Sequence, residues 1–414
     1  MDIEATELKL KSMFGIDRTH KFFPIELKVA ERLDQLAQQG LKINTLQLDQ
    51  EISRLQRNLI ALQREIHDIT RYPLKIGSQK QLANYLFEER GFAPVMTTST
   101  GKNSVAELTI SKYENDPTVA KIKQWKNIRA TLSYLIGAKD FIQDGRIRTN
   151  FVHWKAVTGR IYCENTNIQQ LPPEGRQCIV PDEGKVFLNI DYKAIEMRIL
   201  FSVAKQEDMF SPILDNLDIH SLTYSRMKHI PYEEVTDEER KVGKVLNFGV
   251  CYGTSPYSLA SRLNISPLEA KELILGYFST YSKVNAWIHN VRQFAKRNGY
   301  IENYFGYKRD LTADFERDYR SAYRMAVNGF VQSTAAGILK LALDKLIDLE
   351  QDNADISLTP AIVHDSVLLQ VSEDADKNRI EEIIRENMEF KFPEWIPLEV
   401  EMQWSDKNWQ EASR

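Results

Sequence analysis

Apolar residues recur along this 414-residue chain at helical spacings in the first third and gather in short β-prone runs further on. Leu27, Ala30, Leu33 and Leu36 fall on one face of a helix over residues 25–39, which Gly40 stops. A longer helix follows, in which Leu48, Ile52, Leu55, Leu59, Leu62, Ile66 and Ile69 recur at spacings of four and three. Such a seam calls for a partner helix, and an antiparallel helical pair is the expected arrangement. Packing alone accounts for these leucines. Residues 93–104 (APVMTTSTGKNS) are polar and predict a loop.

The pattern changes in the middle of the chain. Lys185–Ile190 (KVFLNI) predicts a short strand with Asp191 at its end, followed by a helix through Ile195, Met197, Ile199, Leu200 and Val203. Leu358–Val363 (LTPAIV) and Ser366–Val371 (SVLLQV) are β-prone runs separated only by His364 and Asp365, so they predict a tight hairpin with the aspartate at its tip. Between these β elements, residues 205–335 read as a mostly helical insertion. Helices first, then a split sheet interrupted by helices, is an α+β arrangement. The length exceeds what one core usually covers, so two or three subdomains sharing interfaces are expected.

Composition narrows the setting. With 43% hydrophobic and 27% charged residues the chain reads as soluble and globular. No apolar run approaches the ~18 residues needed to span a bilayer, and the N-terminus MDIEATELKLKSMFG is no signal peptide. The three cysteines are too few for a disulfide framework and lack CxxC spacing, which suits a reducing, intracellular, cytoplasmic compartment. A net charge of −4 and a pI near 6.1 argue mildly against nucleic acid. Yet residues 121–160 hold nine Lys/Arg against only Asp140 and Asp144, a local +7 that suits a phosphate backbone. A solvated helix face would carry the same charge.

Aspartates at strand ends are an efficient way to hold hard divalent cations, because Mg²⁺ prefers carboxylate oxygen and completes its shell with water and phosphate. Two such ions about 4 Å apart stabilise both the attacking and the leaving oxygen of an in-line displacement. A lone aspartate there is ordinarily a turn residue, so its surroundings decide. Thr236-x-x-Glu239 is a capping box that opens a helix. From there Arg240, Lys244, Phe248 and Tyr252 recur every four residues, drifting only ~40° per step. One face therefore presents two cations and then two rings, able to neutralise a triphosphate and to stack on or wall off a base. A basic surface helix with a buried aromatic end has the same pattern, and Gly249 and Gly253 ordinarily weaken or end a helix.

Asp191-Tyr-Lys-Ala-Ile-Glu196-Met-Arg198 resembles motif A (DYSxIELR) of family A DNA polymerases, the bacterial DNA polymerase I type. Residues 240–253 (RKVGKVLNFGVCYG) resemble motif B (RRxxKxxNFGxxYG), and Val363-His364-Asp365 begins motif C (VHDE). Thr158-Gly159-Arg160 with Asn167-Ile-Gln169-Gln170-Leu-Pro172 is similar to TGRxSxxxPNLQNIP, and Arg324, Asn328 and Gln332 keep an RxxxNxxxQ spacing. More loosely, residues 75–87 and Thr97–Gly101 are similar to two thumb segments of the family.

The resemblance implies a right-hand polymerase fold of class α+β. Residues 1–24 would be an N-terminal extension, 25–148 a helical thumb, 149–214 and 336–414 a split palm sheet, and 215–335 helical fingers. It further implies that Asp191 and Asp365 bind two Mg²⁺ ions, for which Mn²⁺ can substitute, with the Tyr192 backbone carbonyl assisting. Arg240, Lys244 and His220 would contact the triphosphate of an incoming dNTP, and Lys244 would also protonate the leaving pyrophosphate as a catalytic residue. Phe248 would pack against the nucleotide's sugar and base, and Glu196 would block a ribose 2′-OH. Tyr252 would sit near the templating position, at the end of a mobile fingers helix. Arg160, Asn167, Gln169, Arg324, Asn328 and Gln332 would hold the primer–template DNA, with His364 facing the primer end. The implied partners are primer–template DNA and dNTPs, with no membrane and a monomeric chain.

Three departures from the family pattern stand out. Motif C ordinarily ends in Glu, whereas position 366 is Ser. Motif A carries Lys193-Ala194 where Ser-Gln is more usual. The region before the implied thumb is only about 24 residues, too short for an exonuclease domain, so a template-directed DNA polymerase without proofreading is the expected function. Ser366 keeps open a catalytically impaired, DNA-binding polymerase relative. A single-subunit RNA polymerase is the other alternative, against which Glu196 argues.

Overall fold

The expected first helix spans Phe23–Gln39 and ends where Gly40 takes φ +66°, a backbone open chiefly to glycine. The seam helix spans Thr45–Thr70, its first turn capped by the Asn44 side chain accepting from the Gln47 amide. Its partner is the helix Pro117–Ala138. The two run antiparallel: Lys139 pairs with Asp49 at 2.6 Å at one end, and Lys121 with Glu65 nearer the other. Ile69 at the end of the seam is left exposed. This computed structural model describes residues 2–94, 103–106, 110, 112–251 and 253–413. Most of the loop expected at 93–104, the Thr97–Gly101 segment and Tyr252 therefore lie outside the described residues.

Four antiparallel strands form the central sheet: β1 (Lys185–Tyr192), β2 (Ile356–Val363), β3 (Ser366–Ser372) and β4 (Val400–Ser405), in the order β4-β1-β3-β2. The sheet is split in sequence, because β1 lies centrally while its neighbours come from the last sixty residues or so. β1 runs past the expected Ile190, which places Asp191 within the ladder. The expected hairpin is present, with a two-residue turn at His364-Asp365. Within β2, Pro360 lacks an N–H to give, and the register shifts there. The Thr359 hydroxyl fills in by donating to the Leu368 carbonyl at 2.7 Å.

The insertion is helical as expected, with one exception. Tyr300–Glu302 and Lys308–Asp310 form a small hairpin whose three-residue strands are too short for periodicity to reveal. Against it packs the helix Ile3–Phe14, whose Leu10 and Phe14 are fully buried, so the first residues belong to the main core. The 335/336 boundary falls inside a continuous helix, Tyr319–Asp352, which lies against both the Phe23–Gln39 helix and the Ile195–Val203 helix below the sheet. A large apolar core surrounds the sheet. A separate smaller one, including Leu62, Ile66, Leu82, Ile122 and Trp125, fills the far end of the helical pair.

Candidate active site

Asp191 on β1 is paired with Ser366 of β3 on one side and Glu401 of β4 on the other. Cross-strand partners share a face of the sheet, so these three side chains form a row. Asp365 occupies the adjoining turn. His364 there adopts φ +57°, the Ser366 hydroxyl donates to the Val363 carbonyl at 3.0 Å, and the Tyr192 amide donates to the Asp365 carbonyl at 3.4 Å. Two strand ends are thereby fastened with both aspartates on the same rim. The Tyr192 ring turns to the opposite face, where its hydroxyl donates to the Met388 carbonyl at 2.6 Å.

Asp191 is open to solvent in part, yet surrounding protein takes much of the water away from its carboxylate. That burial, and after it the charges of Asp365 and Glu401, push its pKa up to about 7. Asp365 is likewise raised, by burial first and the Glu196 charge after it. Ionised carboxylates crowded in this way repel each other, and an oxygen-only donor set fits a hard divalent cation. Among the described residues no cluster of three or more His, Cys, Asp or Glu side chains is arranged to hold a metal alone. A cation at this pair would therefore complete its shell with water or substrate oxygen.

This crowding predicts a pH-dependent stability. Folding favours protonated Asp191, a contribution complete below about pH 4 and lost as pH rises through about 7. Asp191→Asn is therefore expected to melt at a higher temperature than wild type in EDTA near pH 8, the gap closing toward about pH 4. Equal melting temperatures at both values would show that the carboxylates are not strained against each other.

The rim opens into a cleft of about 320 Å³ lined by Arg160, Glu196, Phe248, His364 and Asp365, among others. Glu196 lies in the first turn of the helix Ile195–Val203, directly after Ala194 at φ +45°, and Arg160 pairs with it at 2.5 Å. Phe248 comes from the helix Asp237–Cys251, opened as expected by the capping box: the Thr236 amide donates to Glu239 at 2.9 Å, and the Glu239 amide to the Thr236 hydroxyl at 3.3 Å.

On the same helix Arg240 makes two hydrogen bonds to Asp218, at 3.0 and 2.9 Å, while Lys244 is exposed. The buried His220 stands beside them with its ring 5.6 Å from that of Phe248, and burial lowers its pKa, favouring neutral imidazole. Asn247 fixes the ring by donating to His220 Nδ1 at 3.0 Å. Gly243 is required here, since a Cβ would come within 2.1 Å of the His220 carbonyl oxygen. The sequence pattern gave Asn247 and Asp218 no role, although Asn247 lies within the quoted residues 240–253 and Asp218 stands two positions before His220. For Glu401 only strand register supplies the signal.

The residues expected on DNA divide into two groups. Arg324, Asn328 and Gln332 line up on the helix Tyr319–Asp352, with Arg324 packed on Gly253, whose φ of +62° and lack of Cβ admit it. The Asn328 side-chain oxygen is buried without a hydrogen-bond partner. His364 projects, exposed, from the hairpin tip. Asn167 and Gln169, in contrast, are turned to internal work. Gln169 Nε2 donates to the Ile161 and Ile362 carbonyls at 3.1 and 3.0 Å, and Asn167 Oδ1 accepts from the Gln169 amide at 3.2 Å. They brace the Arg160 segment against β2.

The basic stripe is also less bare than its +7 implied. Seven of its nine cations meet carboxylates, six of which come from outside residues 121–160, such as Asp182 on Arg146 and Glu164 on Lys155. Arg129 instead lies 5.2 Å from the centre of the Trp125 ring.

The family model described as DNA polymerase family A matches residues 45–411. The chain belongs to DNA polymerase family A. Among its family A relatives, DNA polymerase I of Caldicellulosiruptor bescii is 32% identical over 402 residues, which is 94% of this chain and 47% of that protein. The thermostable DNA polymerase I of Thermus aquaticus is 34% identical over 380 residues, or 87% of this chain and 44% of that one. The chain thus spans about half the length of the curated relatives it matches. The POL domain of Pol1 from M. smegmatis, solved in complex with DNA primer-template and dNTP, superposes with a TM-score of 0.87 at 27% identity, covering 94% of this chain and 70% of that one. The α+β fold is the right-hand polymerase fold of family A.

Proposed function

We propose that this chain extends a primer 3′-OH with dNTPs under the direction of a template, releasing pyrophosphate. The observation that carries the reading is the juxtaposition of Asp191 and Asp365 on one rim of a cleft, within a family A fold. The M. smegmatis neighbour binds DNA primer-template and dNTP, and the same two partners are proposed here.

In this reading residues 25–148 form the thumb, 149–214 and 336–414 the palm, and 215–335 the fingers. Asp191, Asp365 and the Tyr192 carbonyl would hold two Mg²⁺ ions, replaceable by Mn²⁺. When bound, the ions stabilise charge on the attacking and leaving oxygens. Arg240, Lys244 and His220 bind the triphosphate, and Lys244 holds the proton that the pyrophosphate takes. Phe248 walls the nucleotide's sugar and base, and Tyr252 stands near the templating base. Glu196, held by Arg160, closes the space a 2′-OH would need. Arg160, Arg324, Asn328, Gln332 and His364 meet the primer–template, while Asn167 and Gln169 brace that surface from behind. Catalysis then rests on positioning and charge rather than covalency. The proposal covers polymerisation by these 414 residues as a monomer and includes no exonuclease step. No helix among the described residues is long and apolar enough to cross a membrane, and a DNA substrate implies an intracellular setting. Primer extension with Mg²⁺ and either dNTPs or rNTPs tests the reading. Absence of any extension would sink it, and a preference for rNTPs would favour an RNA polymerase.

Ser366 motivates a second reading, a catalytically impaired relative. Its hydroxyl is committed to the Val363 carbonyl, directly beside Asp191, where the family pattern has a carboxylate. We expect an active wild type, slowed by Ser366→Ala by no more than about 100-fold, the usual reach of an outer-shell group. Single-turnover incorporation by wild type, Ser366→Ala and Ser366→Glu checks this. An inert wild type rescued by Ser366→Glu would establish impairment instead.

A further inference from the structure

Arg160 sits on an irregular loop, closed at its base by the Val152 amide donating to the Tyr162 carbonyl at 2.9 Å. Such loops are ordinarily mobile, since no ladder of hydrogen bonds fixes them. Beneath this one lies a buried ion pair, Lys340 Nζ on Glu26 Oε1 at 2.6 Å, with side chains only 6% and 3% exposed. The Tyr307 hydroxyl donates to the same oxygen, and Trp154 Nε1 donates to Glu26 Oε2 at 2.8 Å. Both carboxylate oxygens are thus satisfied, and four segments distant in sequence meet at one point.

Two contacts join this cluster to the Arg160 loop itself. Trp154 belongs to it and holds φ +55°. Gly159, at φ +69°, lies against the pair, so that a Cβ would stand 3.7 Å from the Tyr307 ring and 3.8 Å from Lys340 Nζ. The next residue is Arg160, which reaches Glu196 at 2.5 Å. Outside the pair, Lys9 donates to the His153 carbonyl at 3.0 Å and His153 meets Asp34 at 2.7 Å. Well-packed apolar residues often replace a buried ion pair without loss of stability, so the value of this one lies in geometry. We propose that the Glu26–Lys340 pair, through Trp154 and Gly159, is the positioning device that sets Arg160 against Glu196 and so sharpens discrimination between deoxyribose and ribose. The inference rests on the polymerase reading above.

The test uses the full chain with the variants E26Q/K340M, which removes both charges together, and Trp154→Phe, which removes the donated N–H along with part of the ring. Single-nucleotide incorporation gives kcat and KM for a dNTP and its rNTP. The dNTP-over-rNTP ratio is expected to fall about tenfold in E26Q/K340M and less in Trp154→Phe, the scale of an outer-shell perturbation. In an Arg160→Ala background, E26Q/K340M should produce no further fall, because the two changes act through one contact. An unchanged ratio in both variants, with wild-type melting, would overturn the inference, as would independent losses in the Arg160→Ala background. A wild type that extends no primer would instead refute the polymerase reading. Even then, a crystal structure of E26Q/K340M decides the positioning role: Arg160 displaced from Glu196 supports it, and Arg160 unmoved refutes it.

Discussion

Asp365→Asn is expected to lower nucleotide incorporation by at least on the order of 10³-fold while leaving primer–template affinity almost unchanged. The substitution conserves shape, and the turn that carries the residue is held by backbone: the Tyr192 amide bonds the position-365 carbonyl, and Ser366 closes onto Val363. What disappears is one of two charges that together make the rim attractive to a cation. Asp191→Asn should behave alike, with a further signature. Burial, and after it the charges of Asp365 and Glu401, push the Asp191 carboxyl up to about 7, so the variant that loses activity should gain thermal stability in metal-free buffer near pH 8. Loss of function with gain of stability marks a site held in strain for its task. Single-turnover incorporation, DNA binding and thermal melts on the same preparations check this. Near-normal incorporation by either variant would remove the carboxylate pair from the chemistry.

Lys244→Ala should reduce the specificity constant for dNTP by roughly 10²–10³-fold, with DNA binding largely preserved. Lys244 is exposed, and no salt bridge to it is present among the described residues, so its charge is free for a phosphate. One turn earlier, Arg240 differs. Asp218 holds it through two hydrogen bonds and also caps the helix that carries His220, so Arg240 must exchange or share that carboxylate to meet a triphosphate. Its removal should therefore cost dNTP use less than removal of Lys244, and should also loosen the His220 helix. Steady-state dNTP titrations of the two variants decide the matter. Unchanged dNTP dependence in both would mean that this face of the helix does not meet the triphosphate.

The sequence alone determined the local parts of this protein. The Asp365 hairpin, the capping box before Arg240, the strand bearing Asp191 and the leucine seam are each written in residues a few positions apart, where turn chemistry and periodicity act directly. Their motifs, read in order, also identified the family. Only the tertiary structure decided which charges meet. Glu401 reaches Asp191 through strand register, carboxylates scattered along the chain cover the stripe over residues 121–160, and Gln169 points inward onto Ile362. Glu26 and Lys340 lie 314 residues apart, each unremarkable in its own helix, yet they form the most enclosed ion pair among the described residues. The reason is physical. A helix or a turn depends on neighbours within a few residues, whereas an ion pair depends on the approach of two surfaces, which the chain sets only once its core has closed.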